Sequence, residues 1–155
     1  MGEKIVSIIT MTITIFVITL SIAIITEDRK LDASRTIIHD FTEAIQYNGY
    51  VTEDMYTTVI NKLPYNGVNL QLTHIKTITE GSINDITDIQ FPWNIRAVLS
   101  SSKIYKMEVG DQIKVDLVVS DETMLDSMKF FLFRKTDGAY KTVASECSVI
   151  LNEKY

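Results

Sequence analysis

The sequence predicts an α+β fold, in which an N-terminal transmembrane helix continues into an amphipathic helix, followed by a second short helix and a small antiparallel β-sheet. Three observations predict it. Residues 5–25 form an uncharged apolar run, apolar residues then recur at three- and four-residue spacing as far as Tyr47, and from Val68 onward the dominant period falls to two.

The run IVSIITMTITIFVITLSIAII matches the roughly 20 apolar residues a helix needs to cross the hydrocarbon of a bilayer. A cleaved secretory signal has a shorter apolar core, about 7–15 residues, and ends at a small-residue step. Here the run leads into Thr26-Glu27-Asp28-Arg29-Lys30, so a retained anchor over residues 1–27 is expected, with membrane lipid as its surroundings. Gly2 invites a myristoylation reading, but position six holds Val6 where that pattern requires Ser or Thr. Lys4 precedes the span and Arg29, Lys30 and Arg35 follow it, interleaved with Glu27, Asp28 and Asp32, so charge leaves the orientation open.

Residues 28–155 are enough for one soluble domain. With 15 basic and 20 acidic residues the chain carries a formal charge of −5, and no segment gathers Lys and Arg into a phosphate-binding surface, so nucleic acid is not an expected partner. The lone Cys147 excludes an internal disulfide.

Leu31, Ile37, Ile38, Phe41, Ala44 and Ile45 share one helical face, predicting a helix over 28–48 that extends straight from the anchor. Asn48-Gly49 supplies a left-handed stop. Thr52, followed by Glu53 and Asp54, caps a second helix over 52–63 with Met55, Val59, Ile60 and Leu63 buried, and Pro64 with Asn66-Gly67 ends it. The sheet is expected within 68–151. Val68, Leu70 and Leu72 alternate with polar residues, and Ile113, Val115, Leu117 and Val119 do so more clearly. A strand over 104–109 is expected to turn through Gly110-Asp111 into the latter, and segments 129–135 and 140–151 read as a hairpin joined by Thr136-Asp137-Gly138. The stretch from Glu80 to Leu99, with Phe91-Pro92-Trp93, is expected to cover a sheet edge.

Nothing in the chain has the spacing of a catalytic or phosphate-binding motif, so no enzymatic activity, cofactor or small-molecule substrate is expected. His39 and His74 are expected at the surface or at element boundaries, and Cys147 as a small, partly buried strand residue. Asn84, Asp85 and Asp88, or Asp121, Glu122 and Asp126, are oxygen-bearing sets that calcium would accept, but solvated loop carboxylates are the simpler reading. Trp93, Phe130, Phe131 and Phe133 are expected in the core, an exposed aromatic patch being the mark of a partner surface.

The hydroxyls of the anchor are patterned. At about 100° per residue, Ser7, Thr10, Thr14 and Ser21 share one sector, while Thr12, Thr19 and Thr26 share another on nearly the opposite side. Such residues permit close helix approach and interhelical hydrogen bonds of about 0.6 kcal/mol on average, predicting an oligomer, with itself or with other chains, through the transmembrane helix. The alternative is that each hydroxyl bonds back to the carbonyl four residues earlier.

The order of elements resembles pilin-like proteins, and more closely the TadE-like, membrane-anchored pseudopilins of Gram-positive bacteria. The resemblance is carried by Gly49-Tyr50-Val51-Thr52-Glu53-Asp54-Met55-Tyr56 with Leu63, by the segment from Val68 to His74, and by Tyr105-Lys106-Met107-Glu108-Val109-Gly110-Asp111. It implies a non-enzymatic, single-pass cell-membrane subunit of a pilus, secretion or envelope assembly with its C-terminal domain outside the cytoplasm. Gly2-Glu3-Lys4 leaves a leader of two residues, and the apolar run contains no Glu, which departs from a processed major pilin and agrees better with a minor, membrane-resident component. A membrane-tethered extracytoplasmic module that senses a ligand or peptide is the alternative.

Overall fold

The computed structural model describes residues 2–79, 86–89, 95, 99, 101, 103–120, 123–133 and 140–152. Helix α1 runs unbroken over Gly2–Asn48, about 70 Å at 1.5 Å per residue, so the anchor and the amphipathic helix are one rod. It ends where expected. Gly49 takes φ 74° and its N–H returns to the Ile45 carbonyl at 2.8 Å, a conformation glycine adopts without steric cost.

A short strand β1 (Tyr50–Thr52) leads into α2 (Glu53–Lys62), whose N-cap is Thr52: its hydroxyl accepts the Met55 N–H at 3.2 Å. Then come β2 (Val68–Thr79), β3 (Ile86–Ile89), β4 (Ile104–Lys106), β5 (Gln112–Val119), a helix α3 (Met124–Phe133) and β6 (Lys141–Val149). The main sheet has the order β3-β2-β5-β6, antiparallel throughout, and β1 pairs with β4 in a separate two-stranded sheet.

β5 fits the predicted alternation at every position: Ile113, Val115, Leu117 and Val119 are buried and the residues between them half-buried. Opposite them on β2 stand His74, Leu72, Leu70 and Val68. α1 packs chiefly on β6, and Ile38, Phe41 and Ile45 of α1 join Leu70, Leu72, Val115 and Leu117 in one core. Burying each such side chain contributes about 1.5–3 kcal/mol, which ties the second half of α1 to the sheet.

Several expectations are corrected. Of the strand expected over 129–135, residues 129–133 are helical, because the chain from Met124 to Phe133 is α3, and 134–135 lie outside the described residues. A capping box overrides the aromatic, strand-like composition: the Thr123 hydroxyl accepts the Asp126 N–H at 3.2 Å, and the Asp126 carboxylate accepts from the Thr123 amide and hydroxyl at 3.2 and 2.7 Å. The strand at 104–109 stops at Lys106 and pairs with β1, not with β5. His74 is no boundary residue, since β2 continues to Thr79 and buries it. Cys147 is exposed on β6, and Phe130 is exposed rather than in the core. β3 is the edge strand of the main sheet, and most of the stretch from Glu80 to Leu99 lies outside the described residues. Phe91-Pro92-Trp93, the Thr136-Asp137-Gly138 turn, Asn84, Asp85, Asp121 and Glu122 lie outside the described residues.

Candidate functional site

The first half of α1 presents the largest apolar surface among the described residues. Ile5, Val6, Ile8, Ile9, Met11 and Ile13 are all more than half exposed, and the helix is long and apolar enough to span a membrane. Five of the seven stripe hydroxyls bond back to their own helix: Thr10 to the Val6 carbonyl, Thr12 to Ile8, Thr14 to Thr10, Thr19 to Ile15 and Ser21 to Val17, at 2.8–2.9 Å. Ser7 and Thr26 are exposed on the same surface. Each hydroxyl keeps lone-pair capacity after donating backward, so back-bonding satisfies its proton and leaves it able to accept from a neighbour.

The two stripes are not equivalent once the domain is in place. The covered face of α1 is a continuous stripe through Phe16, Leu20, Ala23, Glu27, Ser34, Ile38, Phe41 and Ile45. At about 100° per residue, Ser7, Thr10, Thr14 and Ser21 point away from that stripe, whereas Thr12, Thr19 and Thr26 border it, and Thr19 is half-covered. The first set is the open face.

Ala23 and Glu27 are buried, so the domain begins to pack on α1 inside the apolar run and not at its end. The Tyr65 hydroxyl donates to Glu27 Oε1 at 3.2 Å, and the Lys30 ammonium lies 5.3 Å from the Tyr65 ring centre. Burial, then the Glu27 carboxylate, then the hydrogen bond, and finally the Asp126 charge hold the Tyr65 phenol well above its ordinary ionisation range. Asp126 is itself partly buried, which disfavours its charge, but the Thr123 hydroxyl and amide, helped by Lys141 and Lys129, outweigh this and hold its carboxyl below the usual range. Tyr65 thus meets Glu27 directly, while Asp126 acts on it, and Lys141 on Asp126, through charge. The Tyr65–Glu27 contact had no signal in the sequence, whereas Thr123-Met124-Leu125-Asp126 carried a legible capping box.

A second polar cluster lies at the opposite end of the domain. His74 meets the Tyr105 hydroxyl through Nδ1 at 2.7 Å and the Asp111 carboxylate through Nε2 at 2.8 Å, and the same Asp111 oxygen accepts the Glu108 N–H at 3.0 Å. Burial, with the Asp111 charge, raises Tyr105 above the ordinary phenol range. The His74 and Asp111 side chains are 11% and 4% exposed, which admits no substrate, and the cluster ties β2 and β4 to the turn before β5. His39 pairs with Glu146 of β6 at 2.6 Å on the surface. Among the described residues no group of three or more His, Cys, Asp or Glu side chains is placed to hold a metal.

Between α1 and α2 lies an open groove of about 370 Å³, with Ile37, Phe41, Ala44, Met55 and Val59 on its walls. Compared with protein-family models, with curated proteins and with solved structures, the chain matches none.

Proposed function

We propose that the chain is a non-enzymatic, single-pass membrane subunit, built like a minor pilin or TadE-like pseudopilin, in a bacterial pilus, secretion or envelope assembly. The observation that supports this best is the continuity of α1. One helix is both the apolar rod and the spine of the sheet's core, so a contact made along residues 5–25 fixes the orientation of everything after Lys30. A plain tether needs no such rigidity. The open hydroxyl face on the first half of the rod provides a surface for close helix packing, and residues 28–155 are read as lying outside the cytoplasm.

Two measurements test the reading. Cys147 is exposed on β6, so an impermeant maleimide applied to intact cells should label it without lysis; labelling only after lysis would reverse the topology. In a Cys147→Ser background, Thr14→Cys should give oxidative crosslinks between copies, or to another membrane subunit, in native membranes. Uniformly uncrosslinked protein, with Thr14→Cys confirmed as reactive, removes the assembly role.

The groove between α1 and α2 favours a second reading, a membrane-tethered extracytoplasmic module that takes an apolar ligand or peptide side chain there. Saturable binding abolished by Ala44→Trp, with no crosslinking through the span, would favour it.

A further inference from the structure

The groove between α1 and α2 is apolar along its floor and charged along its rim. Ile37, Phe41 and Ala44 recur at four- and three-residue spacing on α1, and Met55 and Val59 at four on α2, so each helix turns one apolar ridge toward it. Phe41 and Val59 are buried, while Ile37, Ala44 and Met55 remain half-exposed. The rim carries Asp40 from α1 and Asp54 from the first turn of α2, with Lys62 in the last turn of α2, about 12 Å beyond Asp54. Asp40 and Asp54 are exposed, and neither is in an ion pair with another described residue.

Height along α1 argues against lipid as the occupant. Ile37 stands about 18 Å beyond Ile25, the end of the apolar run, and still about 14 Å beyond it at a helix tilt of about 40°. The headgroup layer outside the hydrocarbon is only about 5–8 Å deep. Charge argues against a second copy. Two rods related by a two-fold axis in one membrane share a direction, so equal heights meet and the Asp40 and Asp54 of one copy would face the same carboxylates of the other. A head-to-tail copy would bring the open face of α1, which at that height carries Glu43.

We propose that the groove docks a short amphipathic helix of a different protein, with apolar side chains at i, i+4 and i+7 on its buried face and a Lys or Arg that meets Asp40 and Asp54. The valley between two packed helices is the shape that accepts a third, and such a helix is read through anchors at this spacing. α1 offers it about 10 Å from Ile37 to Ala44 and α2 about 12 Å from Asp54 to Lys62, the length of about two helical turns. The cation is needed because docking withdraws Asp40 and Asp54 from water, where a carboxylate left unpaired is costly. Lys62 sets the direction, since the basic end of the occupant belongs at Asp54 and away from Lys62. This narrows the occupant of the groove from an apolar ligand or peptide to one class of helix, and it rests on α1 spanning the bilayer.

The test uses the full chain in phosphatidylcholine nanodiscs and, as the probe, a phage-displayed library of Ala-rich helical peptides randomised along one face. Enriched peptides should carry aliphatic or Met side chains at i, i+4 and i+7 with a Lys or Arg beside them, and should bind saturably. Thr58→Trp, which fills the rim from an exposed position, and Ala44→Trp, which fills the floor, should each weaken binding several-fold. Asp40→Asn with Asp54→Asn should weaken it several-fold and flatten its dependence on salt, with the apolar preference kept. No enrichment, or enriched peptides indifferent to Thr58→Trp, overturns the docking site. Enrichment without Lys or Arg, or full binding to the double Asn variant, overturns the basic partner, and binding that survives a central Pro in the peptide overturns the helix. Disulfide-linked copies of Thr58→Cys in a Cys147→Ser background, in native membranes, would assign the groove to a second copy. Any of the negative results with the Thr14→Cys crosslinks retained leaves the assembly reading standing, and loss of those crosslinks alone leaves the groove inference standing.

Discussion

The Tyr65 phenol donates to the Glu27 carboxylate at 3.2 Å, and so joins the loop after α2 to a position only two residues beyond the uncharged run of α1. Both partners are buried, at 6% and 7% exposure. Tyr65→Phe keeps the ring and leaves the carboxylate short of a donor, which should cost about 1–3 kcal/mol in urea unfolding of the detergent-solubilised chain. The sign with pH follows from the raised phenol: its contribution is complete below the ordinary value of 10.0 and is lost as pH climbs through the higher folded value. Tyr65→Phe should therefore unfold with less alkaline sensitivity than the unaltered chain, and an identical alkaline limb would remove the phenol from the account.

Asp111 accepts from two partners at once, the His74 ring and the Glu108 amide. Asp111→Ala strands both in a buried setting, and each unsatisfied group costs about 1–3 kcal/mol. Asp111→Asn, which retains one oxygen acceptor, should lose less. Equal unfolding midpoints for all three proteins would show that the cluster contributes nothing to stability. Slowed amide exchange in β2 and β4 of the unaltered chain, absent in Asp111→Ala, would locate the effect.

Legibility in the sequence followed the range of the interaction. Thr52, Gly49 and the alternation of β5 act on neighbours within a few residues, and each formed the element expected of it. The aromatic composition of 129–133 suits a strand, while the signal that decides for helix, Thr123 with Asp126, lies just before it. His74 and Tyr65 were illegible for another reason: their partners stand 37 and 38 residues away, and only the fold brings them together. The strand pattern around Cys147 suggests burial, but the outward face of β6 carries it.

The cap of α3 gives an acid-side prediction. Thr123→Ala removes the hydroxyl that both accepts from the Asp126 amide and donates to its carboxylate, at a cost of about 1 kcal/mol, felt first as fraying of α3. Because the Asp126 carboxyl is held below its ordinary value of 3.8, the carboxylate's share of the cap is present above that value and lost as pH falls through the folded one. Amide exchange in α3 should rise in Thr123→Ala at neutral pH, and the gap to the unaltered chain should narrow in acid without closing, because the hydroxyl still accepts the Asp126 amide there. A gap of unchanged size at low pH would mean the carboxylate is not part of the cap.

His39 and Glu146 give the opposite sign. The Glu146 hydrogen bond, reinforced by its charge, raises the imidazole above 6.5, so the pair's contribution is complete below 6.5 and fades as pH rises through the folded value. The pair is exposed, with 64% of the His39 side chain open, so the effect on stability is small and the titration itself is the better readout. The His39 ring proton resonances should titrate above the ordinary midpoint and return toward it in Glu146→Gln. An unmoved midpoint would show that the contact is not held in solution.

Assembly through α1 is separable from insertion. Changing Ser7, Thr10, Thr14 and Ser21 together to Leu makes the run more apolar, so the chain still enters the membrane. It also places bulk on the open face, opposite the stripe covered by the domain, where a partner helix would need close approach. Crosslinks through this face should fall while the amount of membrane-bound protein holds. The matching exchange at Thr12, Thr19 and Thr26 falls beside the domain, with Thr19 already half-covered, so it should cost more in fold stability and less in crosslinking. Loss with both sets would indicate a bundle or filament in which each rod has several neighbours, and loss with the first alone a single partner on the open face. Unchanged crosslinking with both would mean that the hydroxyls serve only the backward bonds from Thr10, Thr12, Thr14, Thr19 and Ser21, leaving α1 a tether and the groove between α1 and α2 the better place to look for function.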